Sequence, residues 1–558
     1  MRGLKILPAA LALGAMQAAA TAQQLTSLSE VEDKIFAQEQ AEVQLLRQYS
    51  PLVETYIQYL RPDKELEVGE VPEGDKYFIG RADLAKGVEL EPLERSVSLK
   101  HKLREDLREF FSSEFVPSGF LQMIYLDMNG FDRQHYKIEY IQRAFLGEVR
   151  CLVFDVDPLP RSGKGRFVGR IWVEDHDYHI VRFNGAYGGS SLTSNYFNFD
   201  SWRTNVGKNL WLPAFIYAQE GSSRDPKTRK LAFKPFRSQT RLWGYGLGHA
   251  RQEQELTKVL VEPSPGIRDQ KEAATDYSPL ESERSWERQT EDNVNGLLER
   301  KGLLAPYGEV DKVLETVINN IEVTNNLNIQ PEVRCRILMT STLESFTMGH
   351  TIVLSRGLVD VLPDEGTLAA ILAHELGHVV LGHRMDTQFA FFDTLQFGEK
   401  QTFRHFDFGH TVKEERASNQ KAIELLRNSP YVNHQGTAQL FFLALKNRSK
   451  NLSNLISPNL GDRVPTSWTI GSVAPSKDSK EKPAANVVAA LPLGGRIKID
   501  PWNDQLRMLN SKPTGAVAES EKMPFQIAPI QFYLTRQEVN SPETPDAAAK
   551  LVSGATKP

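Results

Sequence analysis

Two histidines and a glutamate fall within five residues, His374-Glu375-Leu376-Gly377-His378, inside an otherwise apolar run from Leu368 to Val380. If the run is a helix, the two histidines lie one turn apart, about 40° around the axis, so both imidazoles can reach one point. Glu375 lies about 100° from His374, beside that point rather than on it. This is where a base for an attacking water belongs, and the chemistry such a pattern serves is metal-assisted hydrolysis. The small, apolar neighbours predict a buried helix, in which three such polar groups would be costly without a purpose. The bland alternative is a buried helix with satisfied histidines. With 12 histidines in 558 residues, chance yields the pattern in about 2% of such chains.

Cysteine narrows the metal. Cys151 and Cys335 are the only two, which excludes a disulfide-dense scaffold and a four-cysteine zinc site. Zinc here must rest on histidines and carboxylates. Six of the 12 histidines (His350, His374, His378, His383, His405 and His410) fall between residues 350 and 410.

A third ligand has to come from elsewhere. In His378-Val379-Val380-Leu381-Gly382-His383 the glycine and histidine are each one place away from the His-x-x-Gly-x-x-His spacing that would make the last histidine a ligand. On a continuing helix His383 is nine residues, about 900°, from His374, on the opposite face; only a break at Gly382 would bring it back. The better candidates lie in Glu414-Glu415-Arg416-Ala417-Ser418-Asn419. As a helix, Glu415 shares a face with Asn419, Ala422 and Leu426, whereas Glu414 shares one with Ser418, Lys421 and Leu425. The face without lysine is the more buriable and favours Glu415, with Glu414 as the alternative. Either gives two histidines, one glutamate and one open position, the pattern of a catalytic site holding one zinc per chain.

The elements that position these residues predict an α+β protein. Residues 1–22 carry Arg2, Lys5, a short apolar run and Ala20-Thr21-Ala22, the pattern of a cleaved signal peptide. The mature chain is therefore expected to be exported, periplasmic or secreted. Residues 23–74 read as N-terminal helices, with capping-box spacing at Ser29-Glu30-Val31-Glu32. Residues 75–261 read as an antiparallel β module: Phe167 to Val173 and Tyr178 to Phe183 are strands around an acidic turn. Residues 262–290 suit a linker and 291–470 a mainly helical domain with a small sheet. Residues 471–496 are expected to be a flexible linker, and 497–558 a C-terminal segment and tail.

Net charge is −5, far from the basic field of a nucleic-acid binder, so that class is excluded. Seven phenylalanines between 389 and 408 read as core over the active-site helix or as a greasy lip for unfolded or membrane-proximal substrates. A bond between Cys151 and Cys335 is left open.

The stretch 346–383, FTMGHTIVLSRGLVDVLPDEGTLAAILAHELGHVVLGH, resembles the HtpX and CAAX-prenyl-protease type of gluzincin zinc metallopeptidase, over roughly 305–465. The resemblance implies a zincin fold, zinc held by His374, His378 and Glu415, and Glu375 as the base in peptide-bond hydrolysis. It implies an edge strand at Thr351, Ile352 and Val353 for extended protein or peptide substrates. The sequence departs from the family at Glu344-Ser345-Phe346, where Asn-Ala-Phe is usual, and at Pro458-Asn459, where His-Pro is usual. It departs also at Asn419, in the place of an aspartate that steadies a ligand histidine. His434 and Arg463 are candidates to support the oxyanion. Residues 130–260 resemble the half-barrel of outer-membrane lipoprotein carriers, in the Gly169-to-Arg182 hairpin and Leu210-Trp211-Leu212-Pro213, which implies an apolar concavity for a lipid or peptide. The expected function is zinc-dependent endopeptidase action on cell-envelope proteins, in quality control. The rival is a periplasmic lipid- or peptide-binding, chaperone-like protein with a weak or vestigial peptidase domain.

Overall fold

A computed structural model describes residues 27–62, 70–93, 120–188, 198–220, 235–246, 278–383, 408–456, 460–463, 491–509 and 525–536, apart from Lys86, Asn129, Lys164, Gly461 and Pro492. Residues 1–26, the phenylalanines from 389 to 406, residues 471–490 and residues 537–558 lie outside the described residues.

Helix α1 (Leu28–Leu46) starts at Ser27, whose hydroxyl accepts from Glu30 N while the Glu30 carboxylate accepts from Ser27 N. It is followed by strands, not by a second helix. β1 (Leu52–Pro62) carries Val53, Thr55, Tyr56, Ile57 and Tyr59, a β-branched and aromatic run that packs on both faces. The β module thus begins at residue 52 rather than 75. With β2 (Glu70–Asp83), β3 (Glu89–Pro92), β4 (Tyr136–Leu146), β5 (Val149–Pro158), β6 (Arg166–Glu174), β7 (Ile180–Gly188), β8 (Asn198–Gly207), β9 (Leu210–Glu220) and β10 (Phe236–Trp243), β1 forms a ten-stranded sheet in the order β3-β2-β1-β10-β9-β8-β7-β6-β5-β4. Each neighbouring pair is antiparallel.

Alternation sends successive residues to opposite faces. Val53, Ile57, Phe154 and Phe183 pack with Ile35, Phe36, Val43 and Leu46 of α1. A buried ion pair, Arg203 Nη1 to Glu39 Oε2 at 2.6 Å, pins α1 to β8. The chain's own helix therefore covers this face of the sheet. Leu52, Tyr56, Trp202, Trp211 and Trp243, on the other face, share one core with the following domain.

That domain opens earlier than expected. α2 (Pro279–Arg300), capped by Ser278 and Glu281, occupies part of the predicted linker. α3 (Glu309–Thr324) leads to β11 (Arg334–Leu338), β12 (Glu344–Met348) and β13 (Thr351–Ser355). There follow α4 (Arg356–Val361), α5 (Glu365–Val380), α6 (Val412–Arg427), α7 (Gln435–Arg448), α8 (Ser453–Ile456) and β14 (Asp462–Arg463). The small sheet has the order β11-β13-β12-β14. The described residues of 491–509 and 525–536 dock on the body: β15 (Ile497–Ile499) pairs with β16 (Leu506–Met508), and Gln58 of β1 bonds Phe525 O and Ile527 N.

Candidate metal centre

α5 is nucleated by Asp364, whose carboxylate accepts from Thr367 N at 2.8 Å, and is buried from Gly366 to His378. It ends in a left-handed turn at Gly382 (φ 65°), with Gly382 N on Val379 O and His383 N on His378 O. α6 lies across it at closest range at Gly377, where an added Cβ would stand 2.6 Å from Ser418 Oγ and 2.9 Å from Ser418 O. Only glycine permits this approach. Ser418 uses it to donate its hydroxyl to His374 O, which locks the two helices in register.

The register brings three donors together. His374 Nε2 is 3.4 Å from Glu415 Oε2, His378 Nε2 is 3.4 Å from Glu415 Oε1, and the two Nε2 atoms are 3.3 Å apart. Among the described residues, His374, His378 and Glu415 form a group of potential metal donors lying within 4.8 Å of one another. Burial would raise the Glu415 carboxyl, but its hydrogen bonds with His374 and His378 pull it down to about 2. Burial pushes His378 down to about 4 against the pull of Glu415. At neutral pH the set is thus an anionic carboxylate and a neutral His378 imidazole, the forms that bind a divalent metal ion. Two imidazoles and one carboxylate, half closed by burial, fit such an ion with a position left over.

Glu414 faces away: its carboxylate caps its own helix on Thr411 N and Oγ1 at 2.8 and 2.7 Å. Glu375 lies beside the donors and accepts from Ser345 Oγ at 2.6 Å. Ser345 occupies one of the positions at which the sequence departs from the family pattern.

Three expectations are corrected. Thr351, Ile352 and Val353 are not an edge: β13 pairs with β11 on one side and β12 on the other, and is fully buried. The strand beside Glu375 is β12, which meets β14 only at Glu344 and Ser345. Asn419 touches neither histidine; its Oδ1 is buried without a hydrogen-bond partner among the described residues. His383 is no donor in the cluster, as expected, but it is not on the far face. The turn at Gly382 ends the helix and returns His383 Nδ1 to 2.9 Å from His378 Nδ1. His410, one of the six clustered histidines and expected to have a structural or surface role, has its ring 3.8 Å from that of His378 and its Nε2 3.4 Å from Thr347 Oγ1. Phe408 stacks on Phe346 at 4.8 Å. The side chains of His434 and Arg463 lie outside the described residues. Cys151 and Cys335 are both buried and unbonded to each other, and burial pushes the Cys151 thiol up to about 12.

The model of peptidase family M48 matches residues 307–440, from α3 into α7. This segment is a peptidase family M48 domain. All of the donors and Glu375 lie inside it. Metalloprotease LoiP of Escherichia coli (strain K12) is 34% identical over 88 residues, which are 15% of this chain and 33% of that protein. The chain thus spans about a third of the length of this curated relative. A solved structure from Vibrio parahaemolyticus, described as an outer membrane lipoprotein-sorting protein domain, covers 38% of this chain and 92% of its own at 10% identity, with a TM-score of 0.17. No helix among the described residues is long and apolar enough to cross a membrane.

Proposed function

We propose that the chain is an exported zinc endopeptidase that hydrolyses peptide bonds of unfolded or extended cell-envelope proteins, in protein quality control. The observation that carries this reading is the convergence of His374, His378 and Glu415 beside Glu375, which Ser345 holds.

Zinc bound by these three residues would supply Lewis acidity, lowering the pKa of water to about 7 and polarising a carbonyl. Glu375 accepts the proton of the attacking water and delivers it to the leaving amine. Ser345 Oγ, bonded to Oε1, fixes the rotation of that carboxylate, so the base arrives preoriented. β12 runs past Glu375, and among the described residues it lacks a strand partner beyond Ser345 on its outer side. An extended substrate adds there as a further strand through main-chain hydrogen bonds, its scissile bond carried to the base. The buried helix α5, with the inner face of α6 (Ser418, Ala422 and Leu425) against it, keeps bulk water from the reacting groups.

Glu375→Gln tests this directly. The variant should keep one zinc per chain by elemental analysis and lose cleavage of an unfolded protein by about a hundredfold or more. Unchanged cleavage in the variant sinks the proposal and leaves the rival reading, a binding or chaperone-like protein.

A further inference from the structure

Away from the metal centre, the C-terminal segment closes over the sheet face that the M48 domain leaves uncovered. Between them lies a cavity of about 80 Å³ bordered by β8, β9, β10, the start of α4 and residues from 494–504 and 530–532. Its walls are apolar and aromatic, with Phe215, Trp243, Ile497, Ile530 and Phe532 among them. Three cations border it as well: Arg241, Arg356 and Lys498.

Arg241 is the anomaly. It is 7% exposed, and its guanidinium reaches so far under the C-terminal segment that a Cβ on Gly494 would meet Nη2 at 2.9 Å. Among the described residues it has no hydrogen-bond acceptor and no carboxylate in ion-pair range; its contact is the Phe215 ring at 6.0 Å. The carboxylate directly across the strand pair, Glu54, is already taken by Tyr77, Ser341 and Arg356. Asp360, behind the cavity, is taken by the backbone N–H groups of Gly494, Arg496 and Ile497. Asp504 borders the cavity without reaching Arg241. Its guanidinium opens onto the cavity with five donors and no acceptor among the described residues, and the neighbours register the excess positive charge. Burial and then Arg241 push Arg356 down to about 10. Burial lowers Lys498 too, against Asp360 and with Arg241 adding to it.

We propose that this cavity is a binding site for a small apolar carboxylate, whose head pairs with Arg241 and whose tail lies against Trp243, Ile530 and Phe532. A planar guanidinium matches a carboxylate with two parallel bonds. The aromatic walls select an apolar body over a polyanion, which would need more donors than this lining offers. The chemistry is shared by a fatty acid and by the apolar C-terminus of a peptide. The site is separate from the metal centre and does not rest on the peptidase reading.

The test uses the full mature chain and its tryptophan fluorescence, since Trp243 and Trp502 both line the cavity. Hexanoate and acetyl-Leu-Leu acid are titrated beside their uncharged counterparts, hexanol and acetyl-Leu-Leu amide. The expected result is saturable binding of at least one acid, at least tenfold tighter than its uncharged counterpart, and at least tenfold weaker in Arg241→Met. Arg241→Met should fold as well as the parent by circular dichroism, because it removes a buried charge without removing an ion pair. Tighter binding of hexanoate names a lipid-derived ligand; tighter binding of the peptide acid names a peptide terminus. Equal affinity for acids and their uncharged counterparts, unchanged binding in Arg241→Met, or no saturable binding of either acid overturns the proposal. Ile530→Trp, which fills the cavity and keeps Arg241, should abolish binding; retained binding places the ligand elsewhere and also overturns it.

Discussion

An imidazole that holds a metal through one nitrogen depends on what the other touches, because that partner fixes the tautomer and the ring orientation. For His378 that other nitrogen, Nδ1, lies 2.9 Å from His383 Nδ1; with Nε2 on a metal, Nδ1 would carry the proton and His383 Nδ1 would accept it. On the proposed metal site, His383 would then take the place that the resemblance gives to a carboxylate, while Asn419 at that aspartate position makes no hydrogen bond to the ring. This partner was legible only in part. The spacing of His374, Glu375 and His378 was enough to place the cluster, and the lysine-free face was enough to choose Glu415. The role of His383 depended on seeing Gly382 as a helix terminator instead of extending the helix through it. His383→Ala should weaken zinc binding about ten- to a hundredfold, read by competition with a chromophoric chelator, with zinc still bound at saturating concentration. Glu415→Ala, which removes a donor, should lose zinc outright. Equal affinity of His383→Ala and parent would reduce the contact to packing.

Elements positioned the site less legibly than residues did. Periodicity marks Thr351 to Ser355 as a strand, but which neighbours a strand has is decided by the whole sheet: β13 is interior, and it is β12 whose outer side, among the described residues, lacks a strand partner beyond Ser345. Residues 52–62 are short, alternate weakly and bury both faces, which leaves helix and strand hard to separate by pattern. The helix α3, which opens the matched domain, carries its own titrating cap. Asp311 accepts from Gly308 N at 2.7 Å, while its Oδ1 is buried without a partner among the described residues. Burial raises this carboxyl to about 6 from 3.8. Between those values the folded protein holds a proton that the unfolded chain has lost. Its stabilising share is therefore complete below pH 3.8 and disappears as pH rises through about 6. Asp311→Asn keeps the acceptor and removes the titration. Its stability relative to the parent should rise across that window by up to about 3 kcal/mol, measured by urea unfolding at successive pH values. A difference that stays flat over the window would show that Asp311 is ionised throughout.

At the scale of the whole molecule, composition and texture suggested a peptidase with an appended β module joined by a linker, whereas the two share one core. Tyr56, Trp202, Trp211 and Trp243 of the sheet belong to the same apolar cluster as Leu298, Leu304 and Leu358. Such contacts join residues hundreds of positions apart and leave no periodic trace in sequence. The polar centre of the junction is Glu54, wholly buried on β1, which accepts from Tyr77 Oη at 2.7 Å, Ser341 N at 2.5 Å, Ser341 Oγ at 2.6 Å and Arg356 Nη2 at 3.1 Å. Ser341 precedes β12 and Arg356 follows β13, so this one carboxylate ties the sheet module to both ends of the hairpin that carries Ser345 to Glu375. Glu54→Ala leaves Arg356 buried, unpaired and close to the charge of Arg241. Breaking a buried pair from one side costs about 3–5 kcal/mol. The variant should therefore unfold at a lower temperature, still in one calorimetric transition, because the shared apolar core remains. It should also cleave more slowly at full zinc occupancy, since the hairpin that orients the base has lost its anchor. Two separate transitions in the parent protein, or cleavage by Glu54→Ala at the parent's rate, would mean that the module and the catalytic domain are mechanically independent.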